Sequence, residues 1–129
     1  MVQSAFKFTN PKLENVQFAV NEKFIKEKYD GMNIEANTTI AKCEDKNAVV
    51  KLQLNLGGIE EQQPFEMTIS MSAKFRWEEE IPEDKIDNLL QVNGAAILLS
   101  YIRPTIAYIT TQAGLPPFHI PFMNMTKNE

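Results

Sequence analysis

The chain has 129 residues, which is enough for one domain with a single hydrophobic core. Apolar residues make up 43% and charged residues 23% of it, the proportions of a globular protein. The net charge of −4 and the scattering of the 13 basic residues argue against nucleic-acid binding, because phosphate contacts need clustered Lys and Arg. We therefore expect one domain over residues 1–129 and no nucleic-acid partner.

Cysteine usage and the N-terminal residues bear on the compartment. Cys43 is the single cysteine and cannot form a disulfide within the chain. The first residues, MVQSAFKFTNPK, lack the apolar segment of a secretory signal. We therefore expect a cytoplasmic protein.

Four stretches before residue 78 alternate between apolar and polar side chains, which is typical of strands with one buried face. They cover Leu13–Phe24, Asn33–Lys42, Val50–Leu56 and Phe65–Trp77. Phe6 and Phe8 alternate ahead of the first stretch, but Pro11 allows only a loose start. Because the opposite face stays polar, the pattern predicts an antiparallel sheet rather than a buried parallel one.

Helical patterns follow over about residues 83–114. The stretch from Pro82 to Leu90 predicts a short helix, with the proline in its first turn. Asn93 is the expected N-cap of a long helix, and Gly114 is its expected C-terminal stop. Strands followed by helices predict an α+β fold, a four-stranded antiparallel sheet covered on one face by the long C-terminal helix.

Apolar residues cover most of the circumference of the long helix, which is more than one sheet can bury. We therefore expect a second subunit on its other side and a homo-oligomer. The predicted oligomer interface consists of Leu98, Ile102, Ile106 and Ile109. A membrane-spanning helix is the less favoured alternative, because Arg103 and Pro104 lie at its middle, where a charge is costly and the proline should kink the axis.

The tail over residues 115–124 contains three prolines and is expected to be extended. Its apolar side chains, with the end of the last strand, predict a client-binding surface, because Met and aromatic residues can repack around varied ligands. The predicted surface consists of Phe75, Trp77, Leu115, Phe118, Ile120, Phe122 and Met123. The alternative is that the tail only seals the helix against the sheet.

Residues with catalytic chemistry are few. His119 is the single histidine, and it could pair with Cys43, but both are more often structural in such surroundings. One histidine and one cysteine do not make a metal site, and no Gly-rich phosphate loop is present. We therefore expect no enzyme, no metal and no cofactor.

Three stretches of the sequence resemble the SecB protein-export chaperones and their SecB-like relatives. They are PKLENVQFAVN, AVVKLQLNLGG leading to QPFEMTISMSAKF, and NGAAILLSYIRPTIAYITTQAGLPPFHIPFMN, and the likeness extends from about Phe6 to Asn124. In the helix it depends on Tyr101 with Arg103, on Gly114 and on the Pro-rich tail. The resemblance implies a dimer of dimers that holds unfolded polypeptides in apolar grooves during protein export, without a nucleotide.

The resemblance is incomplete on the outer face of the sheet, where acidic residues of exporting members dock the SecA motor. Asn15, Ala19 and Thr68 stand where such acids are expected, and Glu66 remains. The resemblance therefore implies weak SecA binding, and the family's C-terminal helix is expected to be missing. One alternative is a SecB-like interaction protein with one dedicated partner, such as an antitoxin. Another is a small-ligand binder that uses the region of Trp77.

Overall fold

The computed structural model describes residues 6–121 and residue 123. Its strands are β1 (Phe6–Phe8), β2 (Lys12–Val20), β3 (Ile34–Cys43), β4 (Asn47–Gly57) and β5 (Phe65–Trp77). Helix α1 (Glu83–Asn88), a π-helical segment (Leu89–Gly94) and helix α2 (Ala95–Gln112) follow. A 3-10 turn, Lys26–Lys28, lies in the connection between β2 and β3. This order confirms the predicted α+β fold.

The strands form one antiparallel sheet in which β5 is paired on both sides. On one side lies β4, with β3 beyond it; on the other side β1 and β2 pair with successive parts of β5. The strands β1 and β2 are therefore two pieces of one edge strand. Pro11 lies between the pieces and has no amide hydrogen for the ladder. The sheet thus has five strands instead of the predicted four, because this proline divides the edge.

The strand β2 ends at Val20, so the prediction that it continues to Phe24 was wrong. The Asn21 side chain is the cause. Its Nδ2 donates to the Glu60 carbonyl at 2.7 Å and to the Gln63 carbonyl at 2.8 Å. These side-chain bonds turn the chain away from the ladder and begin the β2–β3 connection.

The helical part is continuous from Glu83 to Gln112, because the π-helical segment joins α1 to α2. Asn93 lies inside that segment, so the prediction of an N-cap there was wrong. A Cβ atom on Gly94 would lie 3.5 Å from Phe75 Cζ and from Val50 Cγ2. The helix therefore lies close to the sheet at this glycine, where no side chain separates the two layers.

The C-terminal end of α2 has the predicted glycine stop. Gly114 adopts a φ of +79°, and its amide donates to the Thr111 carbonyl at 3.0 Å. The Leu115 amide donates to the Thr110 carbonyl, also at 3.0 Å. These two bonds form a Schellman motif, which ends the helix and sets the direction in which the tail leaves.

The core lies between α2 and one face of the sheet. Its fully buried side chains include Val50, Leu52, Leu54, Ile69, Phe75, Leu98, Ile102 and Ile106. Burial of each such side chain stabilises the fold by roughly 1.5–3 kcal/mol relative to exposure. Within the described part of the chain, no helix is long and apolar enough to cross a membrane.

Candidate functional site

An apolar cavity of about 380 Å³ opens at the end of the sheet where β5 begins. The β2–β3 connection, the start of β5 and the tail after α2 form its walls. The lining residues are Phe24, Lys26, Tyr29, Met32, Pro64, Phe65, Leu115, Pro116, Pro117 and Phe118. Because all of them except Lys26 are apolar or aromatic, the cavity fits apolar side chains of a ligand.

The wall from the β2–β3 connection is fixed by the turn between β4 and β5. Gln63 is buried, its Oε1 accepts from the Asn33 amide at 2.9 Å, and its Nε2 donates to the Gly31 carbonyl at 2.9 Å. The Ile25 amide donates to the Glu61 carbonyl at 2.8 Å, and the Glu61 carboxylate forms an ion pair with Lys28. These bonds hold Tyr29 and Met32 beside the start of β5.

The wall from the tail is fixed by Thr110 of α2. The Thr110 hydroxyl is buried and accepts from the Phe118 amide at 2.9 Å. The Phe118 ring meets the Phe65 ring edge-on, with their centroids 6.0 Å apart. Ile120 is fully buried and anchors the next part of the tail. The tail therefore seals the core at Ile120 and lines the cavity at Phe118.

The residues predicted for client binding lie at two ends of the sheet. Leu115 and Phe118 line the cavity beside Phe65, the first residue of β5. Trp77 is the last of the 13 residues of β5, which span about 40 Å. The structure separates Trp77 from the tail because the continuous helix carries the chain back along the sheet before the tail begins.

The other predicted client-binding residues are placed as follows. Phe75 is fully buried, and the Phe6 ring stacks on it at a centroid distance of 5.4 Å. Met123 is half-buried and packs against the core. Phe122 lies outside the described residues. The structure thus brings together two of the predicted residues, Leu115 and Phe118, at the cavity.

Four of the cavity residues that sequence reasoning did not assign to the site lie in the β2–β3 connection. Phe24 was assigned to the first predicted strand, and Lys26, Tyr29 and Met32 lie outside every alternating stretch. The signal that could have found them is two aromatic residues and a methionine in a short segment with many charges. Apolar side chains that no strand or helix pattern explains are candidates for a binding surface.

The Trp77 end of the sheet has a different chemistry. A cavity of about 660 Å³ there is lined mainly by charged residues, among them Lys46, Arg76 and Glu78. Lys46 Nζ lies 3.2 Å from Glu83 Oε1. The Trp77 indole N–H is buried and has no hydrogen-bond partner within the described structure. The cavity at this end therefore presents charged side chains rather than apolar surface.

The predicted interface residues of α2 are mostly internal to the chain. Leu98, Ile102 and Ile106 are fully buried against the sheet, and Ile109 is half-buried. The side of α2 that faces solvent carries Tyr101 and Tyr108, which are 44% and 65% exposed. Self-association through α2 stays a prediction.

The outer face of the sheet brings together the positions that the resemblance implicates in motor docking. Ala19 lies opposite Glu66, and Asn15 lies opposite Ser70 in the pairing of β2 with β5. The Thr68 hydroxyl donates to Asn55 Oδ1 at 2.9 Å. Of the four positions named for docking, only Glu66 carries a negative charge.

One carboxylate on this outer face is held by two partners. The Ser72 hydroxyl donates to Glu14 Oε2, and Lys51 Nζ lies 3.4 Å from Glu14 Oε1. The bond from Ser72 is the main cause that lowers the pKa of Glu14, burial works against it, and Lys51 adds to the lowering. This group ties the edge strand β2 to the centre of the sheet.

Cys43 and His119 lie near opposite ends of the sheet. Cys43 pairs with Asn47, which in turn pairs with Arg76 at the Trp77 end. His119 follows Phe118, whose ring touches Phe65 at the other end. The two residues therefore do not form a nucleophile–base pair.

A family model described as preprotein translocase subunit SecB matches residues 9–127 of the chain. An uncharacterized protein of Methanocaldococcus jannaschii is 27% identical over 125 residues, which are 94% of this chain and 80% of that protein. The protein-export protein SecB of Anaplasma phagocytophilum is 34% identical over 71 residues, which are 53% of this chain and 45% of that protein.

Two solved structures are similar in fold. A SecB-like chaperone of Mycobacterium tuberculosis, in complex with a ChAD peptide from an antitoxin, has a TM-score of 0.75 at 18% identity, covering 92% of this chain and 91% of that one. A Streptococcus agalactiae protein of unknown function has a TM-score of 0.51 at 16% identity, covering 94% and 100%. With most of its length matched by the family model, the chain belongs to the SecB family.

Proposed function

We propose that the protein is a non-enzymatic chaperone that holds unfolded polypeptide segments in its apolar cavity. The observation that carries this proposal is the wall of aromatic, Met and Pro side chains between the β2–β3 connection and the tail. Such a wall accepts many apolar side chains, because its chemistry is adaptable while hydrogen bonds hold its backbone. The SecB family membership supports the same function.

The test is suppression of aggregation of several unrelated unfolded proteins by the unmodified chain and by Phe118→Ser. We expect the variant to bind clients about tenfold more weakly, because burial of one aromatic side chain contributes about 1.5 kcal/mol or more. Ile59→Ser is the control, since Ile59 is an exposed apolar residue of the turn between β4 and β5 that does not line the cavity. If both variants protect clients as well as the unmodified chain, clients do not bind in the cavity. A fall in melting temperature of Phe118→Ser beyond that of the control would instead place the ring in the core.

A second candidate is an interaction protein with one dedicated partner and no SecA docking. The outer face favours it, because Asn15, Ala19 and Thr68 leave Glu66 as the one acid of that group. The Mycobacterium tuberculosis structure shows the fold with an antitoxin peptide. Capture of one partner from the chain's own genomic neighbourhood, without protection of unrelated unfolded proteins, would support this candidate and contradict the general chaperone.

Our proposal includes self-association in the cytoplasm as a dimer of dimers. The exposed aromatic residues Tyr101 and Tyr108 of α2 support it, together with Phe8, whose ring centroid lies 6.3 Å from that of Tyr101. We expect light scattering to give a tetramer at micromolar concentration and Tyr101→Asp to reduce the mass. A monomer at that concentration would contradict this part of the proposal.

A further inference from the structure

The outer face of the sheet, away from the helices, is the feature from which we draw a further inference. Basic residues gather there at the Trp77 end of β5, although the chain as a whole has a net charge of −4. We propose that this basic patch docks an acidic, extended segment of a partner protein. The patch and the apolar cavity lie at opposite ends of the sheet, so the inference does not rest on client binding.

The antiparallel register assembles the patch from four strands. Arg76 of β5 lies opposite Lys7 of β1. Ser72 of β5 lies opposite both Lys12 of β2 and Lys51 of β4, and Lys74 stands between these two rows on the same face. The basic patch therefore consists of Lys7, Lys12, Lys51, Lys74 and Arg76. Basic residues that are scattered along the sequence thus come together in the folded sheet.

Three cations of the patch are available to a ligand. Lys74 and Arg76 are exposed, and neither forms an ion pair within the described part of the chain. Lys7 Nζ lies 3.8 Å from Glu78 Oε1, and 41% and 55% of the two side chains are exposed. Because exposed ion pairs at such distances are weak, Lys7 can exchange Glu78 for a carboxylate of a ligand.

The backbone under the patch is held in place by hydrogen bonds. The Thr9 amide donates to the Lys74 carbonyl at 3.0 Å, and the Thr9 hydroxyl accepts from the Lys74 amide at 3.3 Å. Asn47 Nδ2 donates to the Asp45 carbonyl at 2.8 Å in the adjacent turn. A cavity of about 330 Å³ lies there, lined by Lys7, Phe8, Thr9, Asn47, Lys74 and Arg76. A ligand therefore meets a surface that is largely formed before binding.

The spacing of the cations indicates the form of the ligand. Lys74 and Arg76 are two residues apart in β5, which places them about 7 Å apart along the strand. An extended peptide presents its alternate side chains at the same spacing. Acidic residues at alternate positions can therefore face both cations at once, and the guanidinium of Arg76 can bind a carboxylate through two hydrogen bonds.

A nucleic acid or an anionic membrane fits this patch less well. The aromatic rings of Phe6 and Phe75 stack on each other on the opposite face, so bases would find no stacking platform beside the cations. Acids bound the patch, with Glu78 beyond one end and Glu66 at the far end of the same face. A long polyphosphate or a lipid surface would meet these acids, whereas a short acidic segment stays among the cations.

Fluorescence anisotropy with a short labelled peptide tests the proposal. The peptide carries Asp at alternate positions with Thr between them, and a comparison peptide has Asn in place of each Asp. We expect the acidic peptide to bind the unmodified chain at least about tenfold more tightly at low salt, and the difference to disappear at high salt. Equal binding of the two peptides at low salt would overturn the proposal.

The double variant Lys74→Gln with Arg76→Gln locates the binding. Its matched control, Lys23→Gln with Lys85→Gln, removes the same net charge from exposed residues outside the patch. We expect the first variant to bind the acidic peptide about tenfold more weakly, because two charge contacts are lost, and the control to stay within about twofold of the unmodified chain. Equal weakening in both variants would show a response to overall charge alone and would overturn the proposal.

A second measurement on the unmodified chain does not depend on whether the double variant folds. In an NMR titration with the acidic peptide, we expect the amide signals of Lys7, Lys74 and Arg76 to shift. The signals of Asn55 and Glu66, near the other end of the same face, should stay in place. Shifts at Asn55 and Glu66 without shifts at Lys74 and Arg76 would overturn the proposal.

Other occupants of the patch would give different results. A single-stranded DNA oligonucleotide, or vesicles of anionic phospholipid, would replace the acidic segment if they bound more tightly and lost that affinity in Lys74→Gln with Arg76→Gln. A lower oligomer mass of the same variant in light scattering would assign the patch to a second copy of the chain. Each of these results would overturn the proposal.

Client protection separates the patch from the cavity. We expect Lys74→Gln with Arg76→Gln to suppress aggregation of unfolded proteins as well as the unmodified chain does, because neither residue lines the apolar cavity. Loss of client protection at an unchanged melting temperature would make the patch part of the client site. That result would overturn the assignment of the patch to a separate partner.

Discussion

The two ends of β5 carry similar residues and have different surroundings. Phe65 begins the strand and Trp77 ends it, and both are buried aromatic residues on the same face. The tail and the β2–β3 connection converge on Phe65 and form an apolar cavity. Charged residues of two turns surround Trp77. The function of an aromatic residue at a strand end thus depends on which other segments of the chain pack beside it.

The largest effect is expected from a substitution that disrupts the packing of helix α2 on the sheet. Ile102→Asp would bury a carboxylate without a partner, since Ile102 is fully buried, and should cost about 4 kcal/mol or more of unfolding free energy. Ile109→Asp is the matched control, because Ile109 is half-buried. Urea unfolding followed by circular dichroism measures both variants. Equal stability of the two would show that α2 does not hold the sheet as the structure indicates.

Most of the fold could be predicted from the sequence, because alternation and capping are local signals. The strand Phe65–Trp77 and the stop at Gly114 have the predicted positions. The π-helical segment around Asn93 was not predicted, because it depends on contacts with distant strands. Tertiary packing decided this place over local propensity. The divided edge has a local cause, Pro11, but the pattern did not show that the residues before it form a separate strand.

The candidate site was predictable only in part. Leu115 and Phe118 line the cavity, and the tail pattern identified both. Trp77 was predicted to belong to the same surface because the end of the last strand was expected to lie beside the tail. Their separation follows from the length and direction of the helical part, which carries the tail to the start of β5. Alternation reports which face a residue occupies, but it carries no information about which end of the sheet a later segment reaches.

The next largest effect is expected from substitutions of aromatic residues at the two ends of the sheet. Trp77→Phe should leave client affinity unchanged and change the unfolding free energy by less than about 1 kcal/mol, since the lost area is offset by removal of a buried N–H without a partner. Phe118→Ser should lose about tenfold in client affinity at the other end. Isothermal titration with one unfolded client measures both variants. Loss of affinity in Trp77→Phe at unchanged stability would move the client site to the charged end.

A smaller effect is expected at the outer face near the Phe65 end. Introduction of acids by Asn15→Asp, Ala19→Glu and Thr68→Glu should raise the association rate with SecA, because charge complementarity acts mainly on encounter. We expect a gain of several-fold at low salt that disappears at high salt, where the charges are screened. Surface plasmon resonance at two salt concentrations measures it, with the uncharged substitutions Asn15→Gln, Ala19→Gln and Thr68→Gln as the control. Tight, salt-sensitive binding of SecA to the unmodified chain would contradict the expectation that this face docks it weakly.

The smallest effect is expected midway between the two ends, at Glu14. Because bonding to Ser72 lowers the pKa of Glu14 in the folded chain, its contribution to stability is present above the unfolded pKa and is lost as pH falls through the lowered folded pKa. The Glu14 side chain is 35% exposed to solvent, so screening reduces the contribution to about a few tenths of a kcal/mol. Ser72→Ala should raise the pKa of Glu14 toward its ordinary value and reduce the difference in unfolding midpoint between neutral and acid pH. Ser70→Ala, a buried serine in the same strand without a bond to Glu14, is the matched control, and an NMR titration of Glu14 that is identical in both variants would exclude Ser72 as the cause.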